Sequence, residues 1–187
     1  MDQPWFAIID MQNIFAHPKE WWGCPAFASI VAPIQALAAY FGPQTLLTRF
    51  VAGTDHRGSW GPYYQKFPFA NVPDTSPRYA IVDPLQSLIT ADNVVTRTTF
   101  NKWGDAAHGL RAKTGATPRL FLAGVATDCC VLSTAIAAAE AGAFVTVILD
   151  ACAGSSDAGQ AAARQIFEGY APLIQLSDTQ TVLGTPR

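Results

Sequence analysis

Along the chain, apolar residues recur in two alternating patterns. Short β-rich runs appear at "WFAII" (5–9), "TLLT" (45–48), "NVVTRT" (93–98), "RLFLA" (119–123), "FVTVIL" (144–149) and "PLIQL" (172–176). Most are continuously apolar, which predicts strands buried on both faces. Between them lie Ala-rich segments with apolar positions at helical spacing, over 26–41, 105–114, 128–141 and 157–170. Asp105 and Asp157 stand where helix caps are expected, and Gly115 and Gly142 follow the apparent helix ends. This alternation predicts a three-layer α/β/α fold: a six-stranded parallel sheet with helices on both sides, in the order 3-2-1-4-5-6 common to doubly wound sheets. One segment breaks the rhythm. From 50 to 84, as in "RGSWGPYYQKFPFANVPDTSP", the chain is rich in Pro, Gly and aromatics without sustained periodicity, the signature of a binding loop, a lid or an interface arm.

Composition narrows the class. With 187 residues, 50% hydrophobic and 14% charged, the chain is long enough for one sizeable core and short for two, so a single domain over 1–187 is expected. The first residues carry no basic leader and no later apolar run reaches the length of a spanning helix, so the expectation is a cytoplasmic protein without membrane contact. The net charge of -2, with scattered Lys and Arg, gives no footprint for nucleic acid; the expected partner is a small molecule or another copy of the chain. Cys24, Cys129, Cys130 and Cys152 are too few and too irregularly spaced for a disulfide framework, which fits a reducing compartment.

In an open parallel sheet, ligands bind at the carboxyl ends of the strands, where strand order reverses. Asp10 follows the first run, Arg97, Lys102 and Trp103 follow the third, and "GVATDCCVLSTA" (124–135) follows the fourth. A carboxylate, a cation and a thiol therefore arrive on one rim. A thiol in the first turn of a helix meets unpaired N–H groups and the positive end of the helix dipole, which favour thiolate. Successive helix residues point about 100° apart, so only one of Cys129 and Cys130 can aim into the crevice, and spacing alone leaves open which. The plainer reading is that both are small buried hydrophobes. Asp10 at a strand end would be costly to bury without a partner, which suggests a charged cluster.

The stretches "DMQNIF" (10–15), "RTTFNKW" (97–103) and above all "GVATDCCVLSTA" resemble the isochorismatase-like cysteine hydrolases, the superfamily of nicotinamidases and N-carbamoylsarcosine amidases. The resemblance spans most of the chain and implies an Asp, Lys, Cys triad whose nucleophile stands two places after Asp128. That selects Cys130, with Asp10 as general base. It also implies an oxyanion hole from the backbone N–H groups of Ala126 and Cys130, often beside a cis peptide at the position of Val125–Ala126, and a dimer or tetramer. The cation is ambiguous: the motif's lysine position holds Arg97, and Lys102 lies five places on, about 16 Å away in an extended strand. Lys102 is the preferred assignment, because "FNKWG" reads as a turn that brings its side chain back over the rim; Arg97 is the alternative.

Nicotinamidases of this superfamily bind a metal through an Asp-x-His element after the second strand. Here "TRFVAGTDHRG" places Asp55 and His56 side by side, and His17 and His108 complete no recognisable ligand spacing, so neither metal nor cofactor is expected. The resulting expectation is a metal-independent hydrolase of a small amide or ureido C–N bond, acting through a thioester. Phe15, Trp60 and Trp103 are candidate pocket walls and Arg49 a candidate contact for an anionic substrate group, although core packing is the commoner role for each aromatic. The rival readings are a catalytically silent binding protein, a thiol redox protein using Cys129 and Cys130, and a hydrolase of an ester or lactam.

Overall fold

The computed structural model describes residues 3–185. Six strands form one sheet: β1 (Trp5–Ile9), β2 (Thr45–Phe50), β3 (Val94–Arg97), β4 (Arg119–Val125), β5 (Phe144–Ala153) and β6 (Ile174–Ser177), ordered β3-β2-β1-β4-β5-β6. Every pairing is parallel. The helices are α1 (Asn13–Ala16), α2 (Phe27–Phe41), α3 (Trp60–Lys66), α4 (Leu110–Thr114), α5 (Leu132–Glu140), α6 (Asp157–Gly169) and α7 (Thr179–Leu183). Among the described residues no helix is long and apolar enough to cross a membrane.

The direction in which strands are added to the sheet reverses between β1 and β4. The β1→β2 connection through α2 and the β4→β5 connection through α5 step in opposite directions along the sheet. Right-handed crossovers therefore place these helices on opposite faces. Helix α2 lies across β1, β4 and β5 with α7 beside it, while α5 rests on β5 and β6, and α6 on β6. Continuous apolar runs suit strands covered on both faces: Phe6, Ile8, Leu120, Leu122 and Val147 are all fully buried. Each such side chain contributes about 1.5–3 kcal/mol relative to exposure.

Several predicted elements end elsewhere. The helix expected over 105–114 shrinks to α4, because the Asp105 carboxylate binds the N–H groups of Ala107 and His108 (both 2.9 Å) and closes a turn of its own. Asp157 is the first residue of α6, and the cap is Ser156, whose hydroxyl accepts from Gly159 N. The segment expected as one helix over 128–141 opens as a π turn, Thr127–Val131, before α5 begins. β5 runs on to Ala153 because its register shifts against β4 between Leu122 and Gly124, which lets Ala153 pair with Val125 beside the switch point. The irregular segment after β2 holds α3 and three 3₁₀ turns, Pro68–Ala70, Pro77–Tyr79 and Asp83–Leu88.

Candidate active site

The site begins where β1 and β4 touch. Ile9 pairs with Gly124, so Asp10 leaves β1 beside Val125, the last residue of β4. Gly124 has φ +116°, and a Cβ there would stand 2.2 Å from the Ile9 carbonyl oxygen; only glycine permits this approach. The next peptide, Val125–Ala126, is cis. Asp10 itself has φ +49°, a strained value for a non-glycine residue, and a neighbouring threonine on β2 pins it there. Asp10 N donates to Thr48 Oγ1 (3.1 Å), and the Thr48 hydroxyl donates to Asp10 Oδ1 (2.6 Å).

The other oxygen meets a cation. Lys102 Nζ lies 2.9 Å from Asp10 Oδ2, and both side chains are 0% exposed. A buried charge without a partner is costly, so the two side chains depend on each other. Lys102 also donates to the Thr99 carbonyl (2.7 Å) and sits 5.0 Å from the centroid of the Phe50 ring, a cation–π contact. The chain turns back after β3 to bring it there: the N–H groups of Leu110 and Arg111 donate to the Lys102 and Trp103 carbonyls (2.8 and 3.0 Å). Arg97, the alternative cation, ends β3 opposite Phe50 and makes no ion pair with Asp10.

Cys130 stands in the π turn and is 3% exposed, at the floor of a cavity of about 230 Å³. A helix start by itself favours thiolate, but here the balance goes the other way. A hydrogen bond to Cys129, then burial, push the Cys130 thiol well above the ordinary range, against the opposing pull of Lys102. The same hydrogen bond lowers Cys129, which is less buried and also lines the cavity. The Ala126 carbonyl accepts from Cys129 N and Val131 N (3.0 and 3.1 Å), so neither bond uses the Cys130 N–H between them. Ala126 lines the same cavity.

Thr134 couples the two halves. Its hydroxyl accepts from Lys102 N (2.9 Å) and donates to the Cys130 carbonyl (2.6 Å). A second clamp comes from Gln12, whose amide donates to the Phe50 and Tyr79 carbonyls (2.9 and 2.7 Å) and accepts from Phe50 N (2.8 Å). It fastens the ends of β1 and β2 to the irregular segment. At the cavity rim, both Asp128 carboxylate oxygens are taken by Ser155, through N (2.8 Å) and Oγ (2.5 Å).

Of the residues predicted to contact substrate, Phe15 lines the cavity. Arg49 does not: its guanidinium donates to the Tyr79 and Asp74 carbonyls (3.1 and 2.8 Å), because the loop after β2 offers it carbonyls that no backbone N–H claims. Trp60 supports the cavity wall from behind, edge-on to Tyr63 and Phe100 (5.4 and 5.3 Å between centroids). Trp103 is buried away from the cavity. The sequence reading missed Trp22, Phe50, Tyr63 and Phe100 as walls, and Thr48, Thr134 and Gln12 as supports. Gln12 lies within the quoted "DMQNIF" and Thr134 within "GVATDCCVLSTA", but Thr48, at the end of an apolar run, carries no local signal.

Among the described residues no group of three or more His, Cys, Asp or Glu side chains is placed to hold a metal ion. Asp55 pairs with Arg57, His56 bonds the Gly53 carbonyl (2.7 Å) and packs on Tyr64, and His108 pairs with Asp105 (3.1 Å). The donor set does not fit the metal that nicotinamidases use.

Similar architectures are known. The fold matches a cysteine hydrolase from Pseudomonas syringae pv. phaseolicola 1448A, with TM-score 0.79, 19% identity and coverage of 97% of this chain and 91% of that one. It also matches an isochorismatase-like hydrolase from Alkaliphilus metalliredigens, with TM-score 0.75, 16% identity and coverage of 97% and 98%. A nicotinamidase from Bacillus subtilis matches with TM-score 0.69, 19% identity and coverage of 95% and 100%. At these identities the likeness concerns the fold. No curated protein sequence matches the chain at a significant level. The isochorismatase domain model matches residues 4–178, nearly the whole chain, and on that ground the chain belongs to the isochorismatase domain family.

Proposed function

We propose that the protein is a cysteine-dependent hydrolase of a small amide or ureido C–N bond, working without a metal through a thioester. The observation that carries this reading is the fully buried Asp10–Lys102 ion pair, whose two charges both act on the thiol of Cys130, a residue of the cavity lining. A structural thiol has no use for such a pair, whereas a protonated nucleophile in a dry site needs a base beside it.

The chemistry runs in two halves. Asp10 takes the Cys130 thiol proton as sulfur attacks the substrate carbonyl carbon. The resulting oxyanion is held by the N–H groups of Ala126 and Cys130. As the tetrahedral intermediate collapses, the C–N bond breaks and Asp10 returns the proton to the departing nitrogen, leaving a thioester and ammonia or an amine. Water then attacks the thioester and gives a proton to Asp10. Collapse of the second intermediate releases the acid, and sulfur recovers its proton. Lys102 offsets the Asp10 charge throughout and needs to transfer no proton.

The test is a panel of small amides and ureas assayed for ammonia or amine release, with the parent protein, Cys130→Ala, Lys102→Ala and Arg97→Ala. Turnover is expected in the parent, to be lost in Cys130→Ala, and to fall by ~10²–10⁴ in Lys102→Ala, the range typical for removing a group that supports acid–base catalysis. Arg97→Ala is expected to stay within a few-fold of the parent. Retained turnover in Cys130→Ala removes the nucleophile assignment, and a silent parent favours the binding protein.

A further inference from the structure

The cavity above Cys130 has unusual walls for a site that handles a polar bond. Phe15, Trp22, Phe50, Tyr63 and Phe100 surround it. Trp22 holds the set together: it stacks on Phe15 (6.0 Å between centroids, planes 13° apart) and meets Phe50 and Tyr63 at 5.9 and 5.8 Å. Behind it, Phe67 and Phe69 contact Trp22 at 5.6 and 5.1 Å, and Phe100 touches both Phe50 and Tyr63. The cup is thus braced on several sides.

Its charge inventory is equally one-sided. Among the described residues no lysine, arginine or histidine lines it. Lys102 is fully buried and spent on Asp10, Thr99 and the Phe50 ring. Arg49 is spent on backbone carbonyls outside the cavity. Asp128, the one carboxylate on the lining among the described residues, has both oxygens occupied by Ser155. Burial pushes the Tyr63 hydroxyl well above its ordinary pKa, so that it stays neutral.

We infer that the acyl half of the substrate is uncharged and apolar, a single ring or a branched aliphatic group seated in this aromatic cup. The inference rests on the hydrolase reading above and narrows it. An anionic acyl group entering the cup would lose its hydration and find no cation to pair with. A cationic group would meet aromatic faces, but the Asp128 carboxylate on the lining is already satisfied by Ser155. A neutral ring gains the burial and loses nothing, and a cavity of about 230 Å³ has room for it.

The test compares four amides: benzamide and isovaleramide, both neutral and apolar, succinamate, an anion, and the amide of trimethylglycine, a cation. With the parent protein, kcat/KM for the two neutral amides is expected to exceed that for either charged one by ~100-fold or more. In Phe15→Leu, the benzamide-to-acetamide ratio of kcat/KM is expected to fall ~10-fold, because acetamide does not fill the cup. Calorimetric titration of the folded Cys130→Ala protein provides a readout independent of turnover, with binding of benzamide expected and none of succinamate or the trimethylglycine amide. A charged amide matching the neutral pair overturns the inference and leaves the hydrolase reading standing. If no amide is turned over, that reading fails. Titration then decides the cup alone: selective benzamide binding supports it, and equal or absent binding overturns it.

Discussion

Thr134 and Thr48 show how much of the site is set by single hydroxyls. Thr134 bridges Lys102 N and the Cys130 carbonyl, so it holds the loop after β3 against the turn after β4. Replacing it by valine keeps the shape but strands a buried donor and acceptor. A loss of about 1–3 kcal/mol in stability is expected by urea titration, with Thr134→Ser restoring most of it. The same variant is expected to lower kcat more than it raises KM, since small displacements between nucleophile and base are heavily penalised. Asp10→Asn gives a sharper split. The Asp10 charge raises the Cys130 pKa and the Lys102 charge lowers it. Removing the carboxylate leaves only the cation, so the Cys130 pKa falls and more thiolate exists at any given pH. Iodoacetamide alkylation of Cys130, followed by peptide mass mapping, is therefore expected to begin at lower pH in Asp10→Asn than in the parent. Turnover falls by ~10²–10⁴ in the same protein, because the departing nitrogen has lost its proton donor.

At the scale of elements, the switch point depends on the contact between β1 and β4. Gly124→Ala forces a methyl group against the Ile9 carbonyl at a backbone angle that disfavours any side chain. Denaturant titration is expected to show a loss of at least about 2 kcal/mol, with activity falling further than stability explains because Asp10 and Ala126 leave these two strand ends. The strands were legible as runs of apolar residues, and five of the six began within one residue of the expected position; β6 began two residues late, at Ile174. Element ends were less legible, for a consistent reason. Asp105 found backbone N–H groups nearer than the helix, Ser156 took the cap expected of Asp157, and β5 continued past Leu149 because β4 offered it a second stretch of ladder. Each of these outcomes turns on a competing hydrogen bond, and competition is not visible in hydrophobic period.

At the scale of the molecule, the irregular segment from 50 to 84 is part of the site's architecture. Gln12 and Arg49 both fasten to the Tyr79 carbonyl, and the Tyr79 hydroxyl bonds the Ala70 carbonyl and Ala52 N. These ties fix the chain on both sides of α3, whose Tyr63 lines the cavity. Arg49 therefore acts on the fold and not on substrate charge. Arg49→Met is expected to lower stability by about 1–2 kcal/mol in thermal or urea melts, without changing the order of preference among neutral, anionic and cationic amides.

The sequence by itself determined the strand and helix alternation, the doubly wound class, and the placing of Asp10, Lys102 and the cysteine pair at one end of the sheet. These follow from local rules: apolar period, turn chemistry, and the geometric fact that parallel strands deliver their carboxyl ends to a common edge. Only the tertiary structure pairs Asp10 with Lys102 and not with Arg97, because that pairing depends on where the chain after β3 folds back. It likewise decided the direction in which the Cys130 thiol is pushed: the hydrogen bond that it gives to Cys129, then burial, raise its pKa against the pull expected at a helix start. The aromatic cup belongs to the same class of fact: its members come from residues 15, 22, 50, 63 and 100, brought together by packing across long sequence separations that no local pattern records.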